Sequence, residues 1–177
     1  MITELDCSGC SLLEELPDMP DSLEVLKAAY LRKLTKLPRL PTATLKQLDV
    51  SMTAMSKLPN SLPRLEELDC GGTLIQKLPA LAGCLRALRV YGCEQLKQLP
   101  GLLPEHLEVL DCSYCSALEQ LPVHLPPKLD YLHISGCTLL KRLPKLPPSL
   151  TLFVCSGCSH LQQPPDVAKC LEDLKLV

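Results

Sequence analysis

The sequence predicts an α/β-type repeat solenoid dominated by short parallel β-strands. One phrase recurs along the chain, and three of its copies read LDCSGCSLLEELP, LDCSYCSALEQLP and LHISGCTLLKRLP. Successive copies share an anchor position, almost always leucine, at intervals of 20 to 22 residues. The anchors are Leu5, Leu26, Leu48, Leu68, Leu88, Leu110, Leu132, Phe153 and Leu174. A fixed period of this length identifies a solenoid, so we expect one domain over residues 1–177 with eight to nine repeats.

Each repeat has the pattern of a short strand followed by an extended return. In the copy that spans residues 107–122, Leu110 and Cys112 alternate with Val109 and Asp111, which is typical of a strand with one buried face. The return segments, among them LPRLPTATL and LPKLPPSL, are too short and too rich in proline for a stable α-helix. We therefore expect a convex side that is extended, polyproline-like or briefly 3₁₀, with little α-helix.

Composition and charge argue against several classes of function. The formal net charge of −2 removes the main electrostatic argument for a nucleic-acid partner or an anionic membrane. No apolar run approaches the roughly 18 residues of a spanning helix, and the N-terminus has no secretory apolar region, so we expect no membrane insertion. No motif indicates a small-molecule substrate, and we expect no cofactor.

Eleven cysteines include three Cys-x-x-Cys pairs, which raise the possibility of zinc or redox chemistry. The first pair lies five repeats from the second, or about 24 Å at one strand spacing per repeat, which is too far for one zinc ion. In the repeat frame, the second cysteine of each pair falls at a ladder position after the strand. The ladder reads Thr53, Thr73, Cys93, Cys115, Cys137 and Cys158. We expect metal-free, reduced structural thiols and a reducing cytosolic environment.

These repeats resemble leucine-rich repeats. Residues 65–75 resemble the eleven-residue form LxxLxLxxNxL, with Thr73 at the Asn position, and residues 107–118 resemble the twelve-residue form LxxLxLxxCxxL. The LPxLPxxL return resembles the LPX subtype of bacterial effectors that are injected into host cells, and the SGCxxL phrase also occurs in plant immune receptors. The resemblance implies a curved leucine-rich repeat solenoid. It also implies secretion by a bacterium into the host cytosol without a classical signal peptide.

The outward strand positions form columns along the expected concave face. The column that follows the anchors reads Asp6, Lys27, Asp49, Asp69, Arg89, Asp111, His133, Val154 and Lys175. Two further columns are mostly serine and glycine, and we expect these small residues to leave an open, flat floor. The aspartates make the N-terminal half acidic, which would steer a basic partner, although such a column is also compatible with a merely solvated face.

All four tyrosines fall at outward positions, and three of them lie on consecutive repeats. Tyrosine is enriched at the centres of protein interfaces because it buries a large area at low entropic cost. The alternative is that tyrosines avoid an aliphatic core and favour strands. We predict a partner-binding centre that consists of Tyr91, Tyr114, Tyr131, Arg89, Asp111 and His133.

The sequence predicts no catalytic site. Of the four histidines, only His133 falls on the concave strands, and its neighbours there are Asp111 and Tyr131, with no outward cysteine. No phosphate-binding glycine loop and no carboxylate cluster with metal-ligand spacing is present.

Two functions remain from different classes. The first is a protein-interaction module that binds one partner, a host protein or another bacterial effector, and masks or inhibits it. The second is the substrate-recognition half of a larger enzyme, such as the ubiquitin ligases found among injected LPX effectors. Because the chain begins inside a repeat and ends without a polar cap, we expect trimmed segments or an end that a partner covers.

Overall fold

Eight three-residue strands form one parallel sheet in the computed structural model, which describes residues 1–162. The strands pair in chain order from first to last. They are β1 (Glu4–Asp6), β2 (Val25–Lys27), β3 (Gln47–Asp49), β4 (Glu67–Asp69), β5 (Ala87–Arg89), β6 (Val109–Asp111), β7 (Tyr131–His133) and β8 (Leu152–Val154). This arrangement confirms the predicted fold class, a solenoid of short parallel strands.

The repeat anchors are the central residues of these strands. Leu5 pairs with Leu26 at one end of the sheet, and Leu132 pairs with Phe153 at the other. From β2 onward the central residue of every strand is buried, because it points into an aliphatic core that the repeats build jointly. The eight anchors from Leu5 to Phe153 are therefore confirmed. The ninth, Leu174, lies outside the described residues.

Proline opens the turn that leads back into several strands. The carbonyl oxygen of Pro104 accepts a hydrogen bond from the Leu107 N–H at 3.1 Å. The carbonyl oxygen of Pro126 accepts one from the Leu129 N–H, also at 3.1 Å. Proline has no N–H of its own and a fixed φ, so it starts such a turn at little cost. Residues 1–162 contain no α-helix, in agreement with the expected extended return, and hence no helix long and apolar enough to cross a bilayer.

Side chains at the ladder position donate to backbone carbonyl oxygens, across repeats where the residue is cysteine and within one repeat where it is threonine. The Sγ of Cys115 donates to the carbonyl of Val90 at 3.1 Å, and that of Cys137 donates to Cys112 at 3.1 Å. In the shorter repeats, the Thr73 hydroxyl donates to Cys70 at 2.7 Å. Burial raises the pKa of the Cys115 thiol. The ten cysteines within residues 1–162 are free, and the structure places the ladder where the repeat frame predicts it; Cys170 lies outside the described residues.

Candidate functional site

Three of the predicted binding residues form a row across neighbouring strands. Register pairing puts Arg89 of β5 beside Asp111 of β6, and Asp111 beside His133 of β7. All three side chains are partly buried on the solvent-facing side of the sheet, which we call the strand face. Arg89 also approaches Glu67 on β4, at 3.9 Å between Nη1 and Oε2.

Tyr131 joins this row through His133. Its hydroxyl lies 3.2 Å from the His133 Nδ1, and the two rings meet edge to face with centroids 6.2 Å apart. The same Nδ1 lies 3.6 Å from an Asp111 carboxylate oxygen, which also accepts from the Ser113 hydroxyl at 2.7 Å. Burial raises the pKa of the Tyr131 hydroxyl, and the charge of Asp111 adds to the shift. The polar groups of this cluster are therefore held in place before any partner binds.

Tyr114 and Tyr91 extend in opposite directions from the row. Tyr114 follows β6, is 64% exposed, and lies where a side chain at Gly136 of the next repeat would stand. The Tyr91 ring occupies the space above Gly71 of the preceding repeat and reaches toward Ser51, and burial raises the pKa of its hydroxyl. The structure thus assembles Arg89, Asp111, His133 and Tyr131, places Tyr114 at their edge and turns Tyr91 away.

The prediction of an open floor of small residues was wrong for one column. Ser51, Ser113 and Ser135 are 3%, 3% and 6% exposed, and Ala29 of the same column is also buried. These side chains stack between adjacent repeats, as in the contact of 3.3 Å between the Ser135 and Ser156 hydroxyls. The exposed surface is instead formed by the strand columns and by the residues that follow the buried column.

The aspartates of the strand face have a structural role that sequence reasoning missed. In four repeats an Asp Oδ1 accepts a hydrogen bond from the backbone N–H two residues later, at 2.9 to 3.0 Å. These aspartates are Asp6, Asp49, Asp69 and Asp111. This bond is an Asx turn, which closes the bend after the strand. Burial raises the pKa of Asp69 to about 6, although the bond from Gly71 opposes the shift.

The position four residues after each anchor adopts a left-handed backbone in all eight described repeats. Five of these residues are glycines, with φ between 65° and 77°. The other three are Tyr30, Met52 and Tyr114, with φ between 56° and 62°. A residue with a side chain is strained there by roughly 1–2 kcal/mol. In the sequence, this strained position can be recognised as a column in which large side chains interrupt a run of glycines.

Two of these strained residues contribute to an exposed apolar strip, which we call the edge patch. It consists of Tyr30, Met52 and Leu74, which are 52%, 37% and 47% exposed. They line a shallow groove with Ala54 and Gly72. The edge patch lies on repeats two to four, and sequence analysis did not include it in the binding centre.

The described part of the chain offers few other groups that indicate a metal site or an unsatisfied polar site. Within residues 1–162, no group of three or more His, Cys, Asp or Glu side chains is arranged to hold a metal ion. Buried side-chain nitrogen and oxygen atoms in this range all have hydrogen-bond partners. The strand face therefore offers a wide, partly ordered polar surface with exposed tyrosines, which suits contact with another macromolecule.

Comparisons with known proteins agree with this geometry. The profile described as Leucine Rich Repeat matches residues 1–23, and no curated protein matches the chain. The solved structure of YopM, a leucine-rich effector protein from Yersinia pestis, is 33% identical over 91% of this chain and 44% of its own, with a TM-score of 0.77. The leucine-rich repeat domain of the type III effector XCV3220 (XopL) is 25% identical over 80% of this chain and 55% of its own, with a TM-score of 0.64.

A Shigella effector leucine-rich repeat domain shows the same fold at lower identity. It is 23% identical over 97% of this chain and 74% of its own, with a TM-score of 0.66. The chain spans about half the length of the YopM and XopL structures, at 44% and 55%. The repeat frame, the parallel sheet and these neighbours together show that the chain has a leucine-rich repeat fold and resembles the leucine-rich repeat domains of bacterial effectors.

Proposed function

We propose that this chain is a non-catalytic module that binds one protein partner through its strand face. The observation that carries the proposal is Tyr114, which is 64% exposed although its backbone lies in the left-handed region. Five other repeats place glycine at this position without strain. A strained residue with a large exposed side chain is understandable when that side chain contacts a partner.

The row beside Tyr114 supports the same centre of binding. Arg89, Asp111, His133 and Tyr131 lie on three neighbouring strands. Mutual contacts already fix Asp111, His133 and Tyr131, and Arg89 approaches Glu67 on β4. Ordering of side chains before binding lowers the entropy that association costs. Tyrosine and arginine are also the residue types that most often dominate interface energies.

We infer that the partner is a host protein or another bacterial effector, and that binding masks or inhibits it. The resemblance to YopM and XopL supports a role as an effector or effector regulator of the LPX type, in the host cytosol after secretion without a classical signal peptide. The free cysteines of the described part are compatible with that reducing compartment.

A second candidate is that the chain recognises substrates for a larger enzyme such as a ubiquitin ligase. The supporting observation is that the similar XopL structure is the leucine-rich repeat domain of an effector, so repeats of this kind occur as one domain of a larger protein. In that function the strand face still binds a protein, and the bound protein is then modified rather than masked. The two candidates differ in whether the captured protein gains a covalent modification.

The test compares partner capture by the wild-type chain, Tyr114→Gly and Lys57→Ala. Glycine removes the side chain but suits the left-handed backbone, so the fold should persist. Loss of an aromatic hot-spot side chain typically costs 2 kcal/mol or more, which is about a thirty-fold loss of affinity. We expect host proteins captured by the wild type to be lost with Tyr114→Gly and retained with Lys57→Ala, whose side chain is exposed on the lateral surface. Equal capture by all three chains would place the interface elsewhere.

A further inference from the structure

The edge patch is continuous because glycine makes room for it. A Cβ at Gly72 would lie 2.5 Å from the Met52 Sδ, so the methionine lies across the space that a side chain would fill. Tyr30, Met52 and Leu74 thereby form one apolar strip over three successive repeats. Two of its three members occupy the strained left-handed position. Exposed apolar area combined with backbone strain indicates a contact surface rather than a by-product of packing.

An acidic pair lies on the strand side of this strip, with Gly71 and the Tyr91 ring above it between the pair and the strip. Asp49 and Asp69 are paired in register on β3 and β4, and each precedes the left-handed position of its repeat by three residues. Lys27 and Arg89 lie beside the pair in register, but they form their ion pairs with Glu4 and Glu67. Within residues 1–162, neither aspartate forms an ion pair, and their hydrogen bonds come from the backbone N–H groups of Ser51 and Gly71. Oxygen lone pairs thus remain available for a cation from outside.

Charge on the far side of the strip is of the opposite sign. Arg32 lines the same groove and follows the buried Leu31, so it lies on the side of the strip away from the strands. The strip is therefore flanked by a cation on its outer side and by two carboxylates on its strand side. This asymmetry gives a bound segment a preferred orientation.

We propose that the edge patch and the pair of Asp49 and Asp69 form a docking site for an extended segment of a partner protein that presents an apolar side chain beside lysine or arginine. The apolar side chain packs on Tyr30, Met52 and Leu74, and the basic groups bind the two carboxylates. The inference rests on the proposed function in one respect, that the partner is a protein. It assigns a second surface, three repeats from Tyr114, and the chemistry of what binds there.

A second copy of this chain fits the site less well. A two-fold contact places the same patch on both partners. With the axis across the strip, the acidic pair of one copy would face that of the other, and like charges at close range disfavour this contact. With the axis along the strip, the two carboxylates would face only the single cation of Arg32. Charge complementarity therefore favours a basic partner segment.

The test uses a phage-displayed library of random twelve-residue peptides. The wild-type chain should enrich peptides in which Leu, Ile, Met or aromatic residues stand next to lysine or arginine. A synthetic copy of an enriched peptide should bind at least tenfold more weakly to Met52→Gly and to Asp69→Asn, as measured by fluorescence polarisation. Its affinity for Tyr114→Gly and Lys57→Ala should be unchanged. Raising the salt concentration should weaken binding to the wild type more than to Asp69→Asn.

Several outcomes would overturn the docking site. They are the absence of enriched peptides, enrichment of peptides without basic residues, or full affinity for Met52→Gly. A concentration-dependent dimer in sedimentation that Met52→Gly abolishes would assign the patch to self-association instead. The partner-capture experiment depends on Tyr114 and the peptide experiment depends on Met52, so the outcome of each can be interpreted when the other fails. Thermal melting of each variant verifies that the fold persists.

Discussion

At the scale of single residues, the left-handed position explains which side chains this fold can expose. Gly92 and Gly157 occupy it with φ of 65° and 74°, and Tyr114 occupies it with φ of 57°. The Tyr114 side chain leaves the turn into solvent, between the buried Ser113 and the ladder residue Cys115. The position is therefore well placed to display a contact residue, at a cost in backbone strain.

Replacing Met52 or Tyr114 by glycine should raise the stability of the fold and weaken the binding of a partner. Relief of about 1–2 kcal/mol of strain exceeds the roughly 0.5–1 kcal/mol by which glycine favours the unfolded chain. We therefore expect Met52→Gly and Tyr114→Gly to raise the free energy of unfolding by roughly 0.5–1 kcal/mol in urea denaturation. The converse control is Gly92→Ala, where a Cβ has only ordinary contacts of 3.6 Å or more and stability should fall by about 1 kcal/mol. A stable Gly92→Ala would contradict the assigned backbone conformation.

Asp69 should make stability depend on pH near neutrality. Its pKa rises from 3.8 to about 6, chiefly through burial, and the facing charges are Asp49 and Asp111, which raise it, and Arg89, which lowers it. A raised carboxyl pKa means that the folded state holds the proton more tightly. The contribution of Asp69 is then present below about pH 4 and lost as the pH rises through about 6.

The variant Asp69→Asn tests this effect, since Asn keeps the oxygen that accepts from Gly71. It should be more stable than the wild type by about 1 kcal/mol at pH 7.5, after allowance for solvent screening, and the difference should vanish below pH 4. Asp6→Asn is a control of opposite sign, because the backbone bond from Ser8 lowers the pKa of Asp6. A pH-independent difference for Asp69→Asn would show that the carboxyl titrates at its ordinary pKa.

At the scale of elements, period and alternation suffice to locate the strands but not to orient every side chain. The anchors of β1 to β8 follow from the sequence because the strands pair in one register and every strand from β2 onward buries its central residue. Burial of Ser113 does not follow, because alternation places it outward while the turns of neighbouring repeats close over it. The direction of Tyr91 depends on the absence of a side chain at Gly71 in another repeat. Contacts of this kind between repeats are not visible in the pattern of one repeat.

Removal of a strand anchor should destabilise the whole stack. Leu110 is fully buried at the centre of β6, so Leu110→Ala should lower the free energy of unfolding by about 2–5 kcal/mol. Leu102 carries the same side chain at 84% exposure in the return before β6, and Leu102→Ala should change stability by less than about 0.5 kcal/mol. Chemical denaturation of both variants measures the contrast. Equal effects would mean that the core register is different.

At the scale of the whole molecule, the number of repeats between two contact surfaces sets the distance between them. Met52 and Tyr114 stand at the same position of their repeats, three strands apart, which is about 14 Å at the usual strand spacing. Side chains at this distance without shared contacts act independently. One partner can therefore engage both the edge patch and the strand-face row without either site altering the other.

Additivity of the two sites is the corresponding prediction. For a partner that engages both, the loss of binding free energy in Met52→Gly/Tyr114→Gly should equal the sum of the single losses within about 0.5 kcal/mol. Calorimetric titration with a partner captured by the wild type measures the four affinities of the cycle, and Lys57→Ala controls for changes unrelated to either surface. A combined loss clearly smaller than the sum would mean that the two side chains contribute to one shared contact. Additive losses would show that the edge patch and Tyr114 contact the partner as two energetically independent sites.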